Sequence, residues 1–185
     1  GDLPPINAYT SRGAANAVAM LTEPERKRGV WTISAGNAGQ GVAYAARRAG
    51  VPCTVVVIGT APVSKIERMR ALGARLIAVP YEVAWKALGE RSFPGVEGTF
   101  VHPFDDDDFI AGHGMLGLAI LEDAPDTIAV IAAIGGGGLI TGVGSSIKSL
   151  TPQIRIFAAR PDTAPAAPTT PARDSPRWFA GLPRA

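Results

Sequence analysis

The chain alternates between short apolar runs and stretches in which apolar residues recur every three or four positions. The apolar runs are rich in β-branched residues and bounded by turn formers, which is typical of buried parallel strands. The recurring pattern predicts helices, several of them ended by glycine. Strands are predicted at residues 30–33, 53–58, 75–79, 99–102, 127–134 and 154–159, the fifth of them fully buried. Helices are predicted at residues 12–21, 38–49, 62–72, 81–91, 106–121 and 139–150.

Strands that alternate with helices predict βαβ units, and therefore an α/β fold with a largely parallel sheet. The pattern stops after residue 159, where Pro recurs among Ala, Thr and Arg without a period of a strand or a helix. Such a segment has no apolar face to bury, so residues 160–185 are expected to be disordered. Their composition also fits a truncated or out-of-frame tail.

Composition narrows the class of protein. Of 185 residues, 46% are hydrophobic, enough to build a core, and 22 Gly with 16 Pro disfavour a coiled coil or simple bundle. No apolar run is long enough to span a bilayer. The single cysteine excludes an internal disulfide and fits a reducing compartment, so a cytoplasmic protein is expected. The net charge of +2 and the scattered basic residues predict no nucleic-acid partner, and the one basic cluster, residues 25–28, is expected to be a solvated turn.

The strongest chemical signal is the turn after the fifth strand, where four consecutive glycines precede a helix. Glycines let backbone amides approach a ligand closely, and with the positive end of the helix they suit a phosphate. The alternative is tight helix–strand packing, which one or two glycines would satisfy. The turn lacks the spacing of an ATP P-loop and of an NAD fingerprint, so a nucleotide-binding domain ranks below both.

A second turn, after the first strand, has related chemistry. Small residues, a hydroxyl, a carboxamide and open backbone amides at a helix start suit an anion such as a carboxylate. The alternative is an ordinary helix start capped by Ser34 or Asn37. Because ligands bind at the carboxyl ends of parallel strands, the two turns are predicted to form two walls of one pocket. This turn consists of Ser34, Ala35, Gly36, Asn37 and Ala38.

Together the two turns resemble the fold-type II pyridoxal-phosphate (PLP) enzymes, specifically the branch of threonine/serine dehydratases and serine racemases. The resemblance covers about residues 7–159. It implies a two-lobed, tryptophan-synthase-β-like fold with an incomplete large domain at residues 1–22 and 108–159 and a small domain at residues 23–107. The matching segments are RGAAN at 12–16, SAGN at 34–37, QGVAYAA at 40–46, TAP at 60–62, GA at 73–74, HPFDD at 102–106, IAG at 110–112, Gly114 and GGGGL at 135–139.

The resemblance also implies a reaction and a set of roles. The family removes the α-proton and the β-hydroxyl of serine or threonine while PLP withdraws electrons, which gives a 2-oxo acid and ammonia. Asn37 would contact the ring hydroxyl, and the rest of its turn (Ser34, Ala35, Gly36 and Ala38) would receive the substrate carboxylate. A homodimer is implied, whereas no metal site is expected, because Arg160 replaces a glutamate that serves a cation in relatives. The PLP phosphate would be held by Gly135, Gly136, Gly137, Gly138 and Leu139.

The chain departs from the family at the Schiff-base lysine. The family pattern Ser-Phe-Lys-x-Arg-Gly-Ala corresponds here to AYTSRGA at residues 8–14, so Thr10 occupies the lysine position. A hydroxyl cannot form the covalent bond to the cofactor, and none of the lysines is expected to compensate. One alternative function is therefore a non-catalytic remnant that binds PLP or another phosphate (a pseudoenzyme). The other, which follows from the resemblance to serine racemases, is a serine racemase-type activity. The lysines are Lys27, Lys65, Lys86 and Lys148.

Other candidate residues are expected to be structural. His102 and His113 have no partner at metal-ligand spacing, which favours turn or core positions. The acidic residues 105–108 are expected to cap a helix and fill its first turn. Cys53 begins a buried strand, so it is expected to serve packing.

Overall fold

The computed structural model describes residues 6–159, so the prediction for residues 160–185 lies outside the described part of the chain. The strands are β1 (Val30–Ile33), β2 (Cys53–Ile58), β3 (Arg75–Val79), β4 (Thr99–Phe100), β5 (Ala129–Ala133) and β6 (Arg155–Ala159). The helices are α1 (Thr10–Ala19), α2 (Glu23–Arg28), α3 (Asn37–Ala49), α4 (Val63–Ala71), α5 (Tyr81–Glu90), α6 (Asp107–Asp123) and α7 (Gly138–Leu150). None of these helices combines the length and the hydrophobicity that a membrane span needs.

The predicted alternation of strands and helices is confirmed, and β1, β2 and β3 have the predicted bounds. The prediction for the basic cluster is wrong, because these residues form the exposed helix α2. Its start is fixed by a capping box in which the Thr22 amide donates to Glu25 Oε2 at 2.8 Å. Pro24 in the first turn is also favourable for a helix start.

All strand pairs are parallel, as predicted, and they form two sheets among the described residues. The larger sheet has the order β3-β2-β1-β4, and the smaller pairs β5 with β6. The larger sheet is covered on both faces, since Val55, Val56 and Val57 of β2 are all at most 1% exposed. A strand buried on both faces has no polar alternation, which is why β2 appears in the sequence as a continuous apolar run.

The prediction that the fifth strand is fully buried is wrong. Ile131 of β5 is 72% exposed, whereas its neighbour Val130 packs against α7. Within residues 6–159 the only strand paired with β5 is β6. One face of this pair lies on α7, and no described residue covers Ile131 on the other.

Glycines bring α1, α6 and α7 into close contact. A Cβ on Gly13 would lie 2.8 Å from His113 Cε1, and one on Gly112 would lie 2.5 Å from the Arg12 carbonyl oxygen. A Cβ on Gly142 would overlap the Ile110 carbonyl. These contacts explain how α6 tolerates three glycines, because close packing offsets their low helix propensity. The packing places the first turn of α1 beside α6 and the start of α7.

Candidate active site

Two cavities adjoin between the carboxyl end of β1 and the turn that follows β5. The larger has a volume of about 360 Å³ and the smaller about 80 Å³. The larger is walled mainly by apolar side chains of the four-stranded sheet and of α5. The smaller lies against the glycine turn and the side chain of His113. The cavities adjoin because both are lined by Tyr9, Thr10, Pro103, Phe104 and Gly136.

Most of the residues singled out in the sequence lie on these cavities. Ser34, Asn37 and Ala38 line the larger one, and the turn at residues 135–139 lines the smaller one. Thr10 lies between them and lines both. Ala35 and Gly36 line neither cavity. The two predicted walls therefore face one site, and the roles assigned to individual residues remain predictions.

Three of the four glycines in the turn have a structural reason that needs no ligand. Gly137 has a φ of +94°, which residues with a side chain rarely adopt. A Cβ on Gly136 would overlap the Phe104 ring, and one on Gly138 would lie 2.8 Å from the Phe104 carbonyl oxygen. Gly135 faces open space. The run of glycines is therefore explained largely by packing, and the case for a ligand depends on the cavity beside it.

The second turn leaves a helix start without a side-chain cap. Gly36 is the N-cap of α3, and the Gly36 amide donates to Ser34 Oγ at 3.1 Å. Neither Ser34 nor Asn37 caps α3, so the alternative of an ordinary capped helix is not what the structure has. The first amides of a helix have no partner within it, and Asn37 and Ala38 of this first turn line the larger cavity.

Lys65 is the one lysine whose recorded partner lines a cavity. Its Nζ lies 3.2 Å from Asn37 Oδ1, although Lys65 itself lines neither cavity. Lys27 and Lys86 pair with glutamates on their own helices, and Lys148 donates to the Pro152 carbonyl. Sequence reasoning did not connect Lys65 to the site, because the contact spans 28 positions and depends on how α4 packs.

Sequence reasoning also missed four side chains that line the site: Tyr9, Trp85, Phe104 and His113. Phe104 and His113 lie in or next to segments that carry the family resemblance, and this proximity was the available signal. Trp85 lines the larger cavity although it is 59% exposed. Burial raises the pKa of Tyr9 and lowers the pKa of His113 to about 4, so the imidazole is neutral at pH 7.

The remaining structural predictions agree with the fold. His102 is buried, and its Nδ1 accepts the Asp105 amide at 2.9 Å. Asp106 is the N-cap of α6 and accepts the Phe109 amide at 2.8 Å. Cys53 packs beside the core, and burial raises the pKa of its thiol to about 12, which makes it a poor nucleophile.

Comparison with known proteins places this site in a family. A sequence model described as "Pyridoxal-phosphate dependent enzyme" matches residues 2–180. An L-threonine ammonia-lyase of Thermotoga maritima is 43% identical over 166 residues, which cover 89% of this chain and 41% of that protein. A serine racemase of Mus musculus is 35% identical over 161 residues, which cover 85% of this chain and 48% of that protein.

Solved structures agree with the sequence matches. Maize serine racemase superposes with a TM-score of 0.78 at 33% identity, over 87% of this chain and 49% of that one. The chain thus spans less than half the length of these relatives. Their fold is the fold-type II architecture that the resemblance implied. Since the family model matches nearly all of its residues, the chain belongs to the family of pyridoxal-phosphate dependent enzymes.

Proposed function

We propose that this chain provides the cofactor-binding and substrate-binding turns of a PLP-dependent ammonia-lyase that acts on threonine or serine. The observation that carries the proposal is the joint site, in which a glycine turn and the Ser34–Asn37 turn face adjoining cavities. The larger cavity, about 360 Å³, is in the size range of small-ligand pockets. The similarity to an L-threonine ammonia-lyase supports the reaction class.

The residues fit the phosphate and the ring of PLP. The smaller cavity is lined by the start of α7 and by two residues with a buried unpartnered polar atom, Thr10 (Oγ1) and His113 (Nδ1). The larger cavity combines apolar walls such as Ile33 and Leu88 with the carboxamide of Asn37, which suits an aromatic ring that carries one hydroxyl. The residues do not fit covalent attachment, because the family motif places the lysine at Thr10.

When bound, PLP supplies the electron sink for the bond that breaks at the α-carbon. In the proposed site, the amides of residues 135–139 hold the phosphate, and Asn37 bonds the ring hydroxyl. Ser34 and the amide of Ala38 receive the substrate carboxylate, aided by the positive end of α3. The apolar walls of the larger cavity exclude water from the ring.

A second candidate function is non-catalytic binding of PLP or of another phosphate ester. The observation that favours it is Thr10, a hydroxyl where the family motif has an amine. Under this proposal the turns retain their ligands, and the chain lacks the group that attaches the cofactor and moves the α-proton.

Three further proposals follow from the resemblance and the packing. The residues of the four-stranded sheet form the small domain, at 23–107, and residues 1–22 and 108–159 belong to the large PLP domain. The protein is a cytoplasmic homodimer, and its single cysteine is compatible with a reducing compartment. Its substrate is a small amino acid, as the names of its relatives indicate for those proteins.

One assay separates the candidate functions. The full chain and a Thr10→Lys variant are incubated with PLP and L-threonine or L-serine, and 2-oxobutanoate, pyruvate and D-serine are measured. The ammonia-lyase proposal expects 2-oxo acid from the unaltered chain. The non-catalytic proposal expects PLP binding without product, and product from Thr10→Lys alone would support it. D-serine without 2-oxo acid would replace lyase by racemase activity.

A further inference from the structure

Two residues that line the smaller cavity, Thr10 and His113, each carry a buried polar atom without a hydrogen-bond partner, Oγ1 and Nδ1 respectively. The two residues are 7% and 2% exposed, and both line the cavity that the glycine turn closes. A buried polar atom without a partner is unfavourable, so two of them beside one cavity favour a bound ligand. The third such atom in the described part of the chain, Thr32 Oγ1, belongs to a residue that lines neither cavity.

Helix packing holds the His113 ring in place. The ring lies edge-on to Tyr9 at 5.3 Å and to Phe109 at 5.1 Å between ring centroids. Gly13 of α1 approaches the ring, since a Cβ there would lie 2.8 Å from His113 Cε1, and Gly142 of α7 approaches the base of the side chain, where a Cβ would lie 2.8 Å from His113 Cβ. The imidazole is therefore confined between three helices, beside the residue that begins α1.

The chemistry of this cavity matches a phosphate group. None of its lining residues carries a charged side chain, so its affinity for an anion comes from neutral donors and from the start of α7. The volume of about 80 Å³ is roughly half that of a cavity of about 150 Å³ that holds benzene, so it suits a phosphate better than a ring. The turn, Thr10 and His113 all line this cavity, and a phosphate monoester has three terminal oxygens that can accept hydrogen bonds from several donors.

We propose that Thr10 and His113 are phosphate-binding residues, which donate hydrogen bonds from Oγ1 and from the imidazole to the phosphate that the glycine turn holds. This inference rests on the proposed function for the identity of the phosphate, which is that of PLP. It gives Thr10 a binding role at the position where the family motif has the covalent attachment.

The test compares the dissociation constants of PLP and of pyridoxal, which lacks the phosphate, for the full chain and for variants. Thr10→Val and His113→Leu remove the donors, whereas Thr10→Ser and His113→Gln keep them. Thr32→Val is the matched control, since it removes a buried unpartnered hydroxyl away from the cavities. Circular dichroism and thermal melting establish that each variant is folded.

The proposal expects the preference for PLP over pyridoxal to fall about tenfold in each donor-removing variant, as for loss of a hydrogen bond to a charged group. The donor-keeping variants and Thr32→Val keep the preference. An equal loss of affinity for both ligands, or no loss in folded variants, would overturn it. If the full chain bound PLP and pyridoxal with equal affinity, the inference about the phosphate site would be overturned, whereas the proposed function, which requires only that PLP binds, would stand.

Inorganic phosphate provides a test that needs no variant. The chain has two histidines, so the ¹⁵N spectrum of histidine-labelled protein is simple. Phosphate is expected to shift the His113 Nδ1 signal and to leave His102 unchanged, because His102 Nδ1 already accepts the Asp105 amide. If phosphate shifted the His113 Nδ1 signal but the chain had no affinity for PLP, the phosphate site would stand and the proposed function would be refuted. No shift at saturating phosphate, with PLP bound, would refute the phosphate site alone.

Discussion

Two adjacent glycines of the turn are predicted to respond differently to substitution by alanine: one variant loses stability, and the other loses affinity for PLP. A Cβ at Gly136 would overlap the Phe104 ring, and that ring cannot move freely because it packs against the His102 ring at 4.5 Å between centroids. A Cβ at Gly135 meets nothing within 4 Å, and Gly135 has no positive φ. Gly136→Ala therefore strains the fold, whereas Gly135→Ala affects only what enters the cavity.

The magnitudes follow from the packing. Overpacking of this kind costs about 1–3 kcal/mol, which for a chain of this length corresponds to a fall in Tm of roughly 2–10 °C. Gly135→Ala is expected to change the free energy of unfolding by less than about 0.5 kcal/mol. Because Gly135 lines the smaller cavity, the added methyl group is expected to weaken the binding of PLP more than that of pyridoxal.

The assay is denaturant unfolding and thermal melting of the two variants beside the unaltered chain, followed by PLP and pyridoxal titrations. An equal loss of stability in both variants would refute the claim that Gly136 is required for packing whereas Gly135 only borders the cavity. Unchanged stability in Gly136→Ala would show that Phe104 does not pack against the turn as described.

Three other predictions concern the cofactor, the second wall and pH. Thr10→Lys is expected to give a PLP adduct at residue 10 after borohydride reduction, detected by peptide mass, and an adduct elsewhere would contradict the motif assignment. Lys65→Met removes the 3.2 Å contact between Lys65 Nζ and Asn37 Oδ1 and is expected to weaken PLP binding several-fold. Because the pair is exposed, the free energy of unfolding is expected to change by less than about 1 kcal/mol. A PLP affinity equal to that of the unaltered chain would contradict a role for this contact. Burial lowers the pKa of His102 and His113 from 6.5 to about 4, so the unfolded chain binds more protons between these values, and stability is expected to be lost as pH falls from about 6.5 to about 4. In urea titrations across this range His113→Gln is expected to flatten the pH dependence, and an unchanged slope would contradict it.

The sequence predicted the elements well where local chemistry decides them. A continuous β-branched run gave the bounds of β2. The acidic residues at 105–108 indicated the start of α6, because capping is local. The prediction of a turn at residues 25–28 was wrong because it left out Thr22, which forms a capping box with Glu25 and starts α2. The exposure of Ile131 was not predictable in this way, because an apolar run does not show how many strands flank it.

The site was predicted in outline because its turns lie at strand ends. Its polar interior was not, because the proximity of Thr10 to His113 arises from the packing of three helices through glycines. The meaning of the glycine run also changed for this reason. Phe104, which lies some thirty residues earlier in the chain, accounts for two of the four positions, and only the three-dimensional packing shows this.

The most direct test of PLP binding at the joint site is a crystal structure of the full chain with PLP. The expected result is phosphate density in the smaller cavity, between the turn at residues 135–139 and the side chains of Thr10 and His113. The ring is expected in the larger cavity beside Asn37, without continuous density to any lysine. Phosphate density away from the glycine turn, or PLP joined to Lys65 or another lysine, would contradict the account.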